Sequence, residues 1–375
     1  MSLSVDHVPR FGQIPALAWD ELVGDGDFYV SSDGLVAYEE LYPNEASYLR
    51  ATESGRQVTG LAWYRLDQQS RASPFTRPDR LLSRLLEARG HEASEEALLP
   101  LLPAMLCGGR QAGPSRLPRA AGSPRERAGW LAATLTAATR HAAAADASSL
   151  CFPYVARSDL ELCDALRADG WIEIPTDPYY LLEIGWTDFD GYLASMRSSR
   201  RISIRREITK LAEQQIVVGR ERAHDGLVME MADLTVKTKR RHGSPRTAED
   251  IAESLRAFLR QCKDSYLLTT ARCEGTLAAY ALFLQWRDEL YGRDVGVDYS
   301  VQETRKVPLY FTTMFYEIAR ASPELGVKYV HYGVGSDDAK MSRGGTAIPQ
   351  VGFFKPVADG ASDVLKRYAP LCSGG

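Results

Sequence analysis

Residues 47–66, SYLRATESGRQVTGLAWYRL, and residues 265–284, SYLLTTARCEGTLAAYALFL, carry one pattern written twice. Each opens Ser-Tyr-Leu (Ser47-Tyr48-Leu49; Ser265-Tyr266-Leu267) and runs as a short strand to a glycine (Gly55; Gly275). Each then resumes as a second apolar strand, Val58 to Leu66 and Thr276 to Leu284. Two such runs around a glycine turn predict an antiparallel hairpin. Further along, the order recurs. The first half continues with a helix-forming stretch Arg125 to Ala145, a strand Ser149 to Val155, and Ser158-Asp159 opening a short helix that stops at Gly170. The second half continues with Pro308 to Ala321, a strand Val327 to Val334, and Ser336-Asp337 opening a short helix that stops at Gly344. Serine or aspartate accepts the first free amide hydrogens of a helix, and glycine takes the left-handed conformation that ends one. The repeat predicts two copies of one α/β unit. The boundary is expected near Leu181 to Asp190, after a strand that closes the first copy, giving domains 1–185 and 186–375.

The length of 375 residues allows two or three ordinary domains. Apolar residues at 45% and charged residues at 25% exclude disorder as the main state. A net charge of −4 argues against a general nucleic-acid coat or an anionic-membrane binder, so contact with a polyanion requires a local patch. The longest apolar stretch, Leu98 to Cys107, is broken by Pro100 and Pro103 and is too short to span a bilayer. Met1 to Phe11 lacks the apolar core of a secretory peptide, and the expected location is the cytoplasm. The six cysteines are scattered with no CxxC pair, which predicts free thiols and no metal site.

The second copy carries a resemblance. Tyr192-Leu193-Ala194-Ser195-Met196, then Arg197-Ser198-Ser199-Arg200-Arg201 and Arg205-Arg206-Glu207, resembles the helix pair that opens the catalytic half of FemABX-like proteins of the GNAT acyltransferase superfamily. Leu309-Tyr310, Tyr329-Val330-His331-Tyr332-Gly333 and Lys340-Met341-Ser342-Arg343-Gly344-Gly345 resemble the end of that domain. The likeness covers roughly 186–356, with an echo from about 27 to 184. It implies an α/β fold of two tandem GNAT-like domains, each a mixed, mostly antiparallel sheet flanked by helices. It also implies transfer of an acyl or aminoacyl group to the amine of a small-molecule or peptide acceptor. Family donors are aminoacyl-tRNA or acyl-CoA, used as co-substrates rather than tightly bound cofactors, and some relatives serve antibiotic pathways.

Several residues are candidates for that chemistry. At 100° per residue, Arg197, Arg200 and Arg201 fall within about 60° of the stripe formed by Leu193, Ile204, Ile208 and Leu211, where a guanidinium seeks a carboxylate or phosphate. A helix break at Ser198-Ser199 would instead leave the arginines solvated. The family's pyrophosphate loop, (Arg/Gln)-x-x-Gly-x-(Gly/Ala), is due between Val297 and Pro308, but Asp298 to Val307 contains no glycine. Arg305 and Lys306 still place two cations there. Gly108-Gly109-Arg110-Gln111-Ala112-Gly113 in the first copy fits that pattern poorly. Amide formation needs a base and oxyanion donors. Tyr310, His331, Tyr332 and Asp298 stand at strand and helix ends where such folds open their clefts. Lys340 and Arg343, three apart, share a helix face. By the resemblance these two bind the donor's phosphates or the oxyanion. Lys237, Lys239, Arg240 and Arg241, with Arg246, form the strongest basic cluster and suit a tRNA backbone. The favoured expectation is an aminoacyl-tRNA-dependent transferase with the second copy catalytic. Acyl-CoA as donor, with Arg305 and Lys306 replacing the loop amides, is the alternative, and a non-catalytic binding module on the same fold is a third.

Overall fold

A computed structural model describes residues 3–24, 26–240 and 246–373. The two hairpins are present. They comprise β2 (Ala46–Glu53) with β3 (Arg56–Leu66), and β9 (Tyr266–Cys273) with β10 (Thr276–Trp286). Their turns are the same. Ser54 and Gly55 have φ of 51° and 81°, and Glu274 and Gly275 have φ of 52° and 81°. Positive φ at both central positions matches the twist of the flanking strands, and glycine takes it without steric cost. Both hairpins also carry a bulge three residues after the glycine. Ala51 and Thr52 face Thr59 and Gln57, leaving Val58 extra, while Ala271 and Arg272 face Ala279 and Leu277, leaving Ala278 extra.

The chain divides into two compact units, Met1–Tyr179 with Ile348–Gly375, and Tyr180–Ala347. The first holds a seven-stranded sheet. In spatial order it runs β1 (Leu3–Val8), β2, β3, β4 (Ala104–Cys107), β5 (Ser149–Ala156), β14 (Gln350–Pro356) and β6 (Ile172–Pro175). The second sheet runs β8 (Ile216–Arg220), β9, β10, β11 (Glu289–Val297), β12 (Tyr329–Val334), β7 (Tyr179–Glu183) and β13 (Thr346–Ile348). The hairpin strands pair antiparallel, as do β1, β8 and β14 with their neighbours, whereas β4 with β5 and β11 with β12 are parallel.

This order corrects the expected division at 185/186. The strand at 179–183 does not close the first copy. It lies beside β12 in the second sheet, and the equivalent place beside β5 is taken by β14 from the end of the chain. The last strand of each copy is exchanged, so each sheet keeps seven strands and buries the same kind of apolar face.

Helix starts follow the sequence signals. Ser123 and Glu126 form a capping box on Pro124–Ala144, and Thr247 and Asp250 form one on Ala248–Cys262. The run from Leu309 to Glu324 is helical with a π-helical turn at Thr312–Tyr316. Leu49, Leu61, Trp63, Leu131, Leu135, Phe152 and Phe353 fill the first core. Tyr192, Ile204, Phe283, Phe315, Ile318, Val330 and Tyr332 fill the second. Among the described residues no helix is long and apolar enough to cross a membrane.

Candidate functional site

In the second unit the parallel pair β11/β12 is short. Glu289, Leu290 and Tyr291 face Tyr329, Val330 and His331, and the ladder stops there. Beyond this point β11 continues for six residues alongside β10, with Arg293 bulged out between Leu282 and Phe283. A Cβ on Gly292 would stand 3.2 Å from the His331 carbonyl, so a bare backbone suits the point where the strands part. β12 ends at Gly333 and Gly335, both at positive φ, and turns into the short helix Asp337–Met341.

That turn buries Lys340, whose residue is 3% exposed. Its Nζ donates to the carbonyls of Gly333 (3.0 Å) and Val334 (2.9 Å), at the end of β12, and lies 5.2 Å from the centre of the Tyr180 ring. An ammonium has three N–H donors, and the two carbonyls take two. Among the described residues no carboxylate lies within ion-pair distance of it. Burial disfavours the charged form and holds the Lys340 pKa down to about 8, with Asp337 pulling weakly the other way. Tyr332, 7% exposed, keeps a buried hydroxyl with no hydrogen-bond partner among the described residues. Burial raises its pKa, and the nearby hydroxyls of Tyr192 and Tyr310 add to the rise. Burial also pushes Tyr310 up to about 12, against a hydrogen bond with Ser336. Lys340, Tyr332 and Tyr310 thus belong to one region.

Arg343 has another role. Its Nε donates to the Tyr316 hydroxyl (3.0 Å), Nη1 to Ser342 (2.8 Å) and Nη2 to both Glu207 oxygens (3.1 and 3.3 Å). The guanidinium lies 3.7 Å over the Phe311 ring. Glu207 also accepts from the Tyr316 hydroxyl, and Tyr192 donates to the Arg343 carbonyl. The expectation that Arg343 grips the donor is therefore corrected: its donors are occupied in tying the helix Ser198–Glu213 to the helical run 309–324.

The basic segment before that brace splits. The helix Phe189–Ser195 ends, Arg197 caps the next one in extended conformation, and Ser198–Glu213 begins anew. The phase relation holds for Arg200 and Arg201 with the buried Ile204 and Leu211. It fails for Leu193 and Arg197, which lie across the break. Arg197 is exposed, Arg200 and Arg201 half-buried, and none has a carboxylate partner among the described residues. Burial raises the pKa of the Tyr192 hydroxyl, while the charge of Arg343 and, more weakly, that of Arg200 pull it the other way.

His331 is not brought to Lys340. Val330 and Tyr332 point into the second core, so the alternation of a strand turns His331 to the opposite face. There its Nε2 lies 2.9 Å from Glu289, and its ring stacks on Tyr291 with centroids 4.2 Å apart. Asp298 serves as the cap of the helix Tyr299–Arg305. Its carboxylate accepts from the Ser300 and Val301 amides and the Ser300 hydroxyl, and Lys237 stands 3.1 Å away. Burial alone would raise its pKa, but these hydrogen bonds outweigh burial and lower it. Arg305 pairs with Glu274, and Lys306 is the left-handed residue that ends the short helix. Lys239 pairs with Asp294 (3.2 Å). The basic cluster expected to meet tRNA is thus neutralised by its own chain at Lys237 and Lys239. The Arg240 side chain and all of Arg241 lie outside the described residues.

Sequence reasoning missed Tyr180 beside Lys340 and the Glu207–Tyr316 brace. Period-two alternation alone separates His331 from Tyr332, whereas no sequence signal pairs Arg343 with a glutamate 136 positions away.

Comparison with known proteins bears on the family and the fold. A family model named FemAB-like, described as peptidoglycan biosynthesis/recognition, matches residues 111–371. No curated protein matches the chain. Among solved structures, FemX is 12% identical with a TM-score of 0.63, over 98% of this chain and 99% of that one. The C-terminal domain of a putative lysylphosphatidylglycerol synthetase from Agrobacterium fabrum is 11% identical with a TM-score of 0.53, over 93% and 94%. A tandem GNAT protein from the clavulanic acid biosynthesis pathway is 13% identical with a TM-score of 0.51, over 95% and 99%. At these identities the likeness establishes the fold, two tandem GNAT-like sheets. The family match spans more than two thirds of the sequence, and the chain belongs to the FemAB-like family, of acyltransferase type.

Proposed function

We propose that the second unit moves an aminoacyl group from aminoacyl-tRNA to the amine of a small-molecule or peptide acceptor, with Lys340 stabilising the oxyanion. The amine nitrogen attacks the ester carbonyl. The C–N bond forms, the ester C–O bond breaks, and the departing ribose oxygen takes up the proton that the amine loses. The negative charge that develops on the carbonyl oxygen in between needs a donor held in a dry place.

One observation carries the reading. The Lys340 ammonium is buried at the end of β12, anchored by two backbone carbonyls and unneutralised by any carboxylate within ion-pair distance among the described residues, with one N–H left to give. The loop at 298–308 supports this choice of donor. A CoA pyrophosphate is normally cradled by free amides at a helix N-terminus. Here the amides of Ser300 and Val301 already serve the Asp298 carboxylate, the Tyr310 amide serves Gln302, and Pro308 has none to offer. The anionic Asp298 adds repulsion. Arg200 and Arg201, without carboxylate partners among the described residues, suit the terminal phosphates of an RNA better than the wrapped pyrophosphate of CoA.

Lys340→Met tests this. Removing an oxyanion donor lowers turnover by about 100- to 1000-fold, and transfer by the unaltered protein declines as pH rises through about 8, where the ammonium is lost. Stability responds in the opposite sense. The folded pKa lies below the ordinary 10.5, so the fold gains stability as pH rises from about 8 to 10.5, and Lys340→Met does not show that gain. Turnover within twofold of the unaltered protein would remove Lys340 from the site. Transfer from acyl-CoA but not from aminoacyl-tRNA would overturn the donor.

A further inference from the structure

The parallel pair β11/β12 has three rungs, and the last of them, Tyr291 with His331, is held by more than backbone. His331 is buried. Its ring stacks on that of Tyr291 at an interplanar angle of 7°, and its Nε2 lies 2.9 Å from the Glu289 carboxylate. The same Glu289 oxygen accepts from the Tyr291 hydroxyl, so one carboxylate ties both rings of the stack. The clamp sits on the face turned away from the second core, at the rung where the ladder stops. About 7 Å further along an extended strand stand the Gly333 and Val334 carbonyls that hold the Lys340 ammonium. Gly333 and Gly335 have φ of 74° and 75°, and glycine reaches such a conformation, with many others, at little steric cost. The turn therefore does not fix those carbonyls by itself. The helix that follows, Asp337–Met341, has five residues and is too short to hold its shape alone. Their place is set by the strand before them. Val330 and Tyr332 pack that strand into the core, but apolar packing is non-directional, whereas a hydrogen bond and a stack set both register and separation from β11.

We infer that His331 is a positioning residue for Lys340: with Glu289 and Tyr291 it fixes the end of β12, and through the Gly333 and Val334 carbonyls it fixes the place of the ammonium. In this role His331 touches no substrate and moves no proton. The inference rests on the oxyanion reading above for its effect on transfer, while the placement of Lys340 is measurable without any substrate. Burial holds the Lys340 pKa down to about 8, and a loosened turn admits water, so losing the clamp moves that pKa back toward 10.5. Asp337 on the same short helix and Tyr180 on β7, the titratable groups that face Lys340, are untouched by substitutions at His331.

The test uses the full chain. His331→Ala removes the stack and the hydrogen bond, whereas His331→Gln keeps an N–H for Glu289. His331→Ala should lower kcat about 10- to 100-fold, the cost of misplacing a catalytic group by about 1 Å, with KM for the donor within about twofold. His331→Gln should recover at least half of that loss on a logarithmic scale. In Lys340→Met, which has no ammonium to place, His331→Ala should cost transfer nothing further. The second readout is the melting temperature between pH 8 and 10.5. The gain in stability across that range should shrink in His331→Ala, with Lys340→Met giving the zero. A gain as large as that of the unaltered protein overturns the inference. So does an equal loss of transfer from His331→Ala with and without Lys340, or an unchanged kcat in His331→Ala where Lys340→Met is impaired. If Lys340→Met transfers normally while His331→Ala still shrinks the gain, the oxyanion reading falls and the placement of Lys340 by His331 stands. Should His331→Ala fail to fold, Tyr291→Leu removes the stack from the neighbouring strand; it must shift both readouts in the same direction, or the inference falls.

Discussion

The two copies part their central strands at the same place and then treat the gap differently. In the first unit β4 ends at Cys107, and the chain returns as residues 115–120 to occupy the space beside β3 and β5. The Ser115 amide donates to the Tyr154 carbonyl (2.7 Å), its hydroxyl accepts from the Tyr154 amide (3.2 Å), and the Gly60 amide donates to Pro118 (3.1 Å). Ala120 donates to Val58 (2.8 Å), and Thr59 bridges Arg119. In the second unit no backbone ladder among the described residues joins β11 and β12 beyond Tyr291 and His331, and the end of β12 carries a buried ammonium instead. A fold that closes its own gap gains stability there and gives up a cleft. In the second unit Arg343, Glu207 and Tyr316 instead tie the helix Ser198–Glu213 to the helical run 309–324. The two units thus share one strand order, and the connection after the fourth strand bridges the gap in the first and leaves it unbridged in the second.

The brace offers the largest test of that contrast. Arg343→Met leaves Glu207 facing Tyr316 without its cation, and breaking one side of a well-buried pair costs about 3 kcal/mol. We expect denaturant unfolding to show this loss. Native-state hydrogen exchange should localise the faster opening to residues 180–347 and leave 46–66 and 149–156 as protected as before. Equal loosening of both units would mean that the arginine supports something other than the unbridged gap. In that case the two gaps would not differ in the way described.

How much of this was legible in the chain varies with the range of the interaction. The hairpins declared themselves because alternation, a glycine and a short turn all act within twenty residues. The caps at Ser123 and Thr247 did so for the same reason. The strand exchange was not legible. Tyr179–Glu183 and Gln350–Pro356 are both short apolar strands, and nothing in either states which sheet it joins. Lys340 stood out by its place before two glycines, yet its burial and its two carbonyl partners depend on the turn at Gly333 and Gly335. His331 was drawn to the site by its chemistry, although the residues on either side of it already assigned it to the other face. The basic cluster at 237–241 looked free because Asp294 and Asp298 lie more than fifty positions away along the chain.

The closed gap of the first unit makes a smaller, separable prediction. Ser115→Ala removes the hydroxyl that accepts from the Tyr154 amide, and Ser115 is 4% exposed. A buried amide left without a partner costs about 1–2 kcal/mol. Stability should drop by that amount while transfer, measured well below the melting temperature, stays within twofold. A large loss of transfer with unchanged stability would give the first unit a direct part in the reaction and erase the division of labour between the copies.

The smallest expected effect concerns the loop that replaces the pyrophosphate cradle. Asp298→Ala frees the amides of Ser300 and Val301 and removes the charge that faces Lys237. Loss of an N-cap costs about 1 kcal/mol. The same change also strips away what keeps a second anion from that helix end, so Asp298→Ala should bind CoA more tightly than the unaltered protein, by a few fold in a calorimetric titration. If the unaltered protein already binds CoA tightly and Asp298→Ala weakens it, the carboxylate organises a CoA site rather than blocking one. The unbridged gap of the second unit would then be built for the thioester donor. Unchanged affinity in both would mean that the loop is merely a capped helix end, and discrimination between donors would have to arise from Arg200, Arg201 and Lys340.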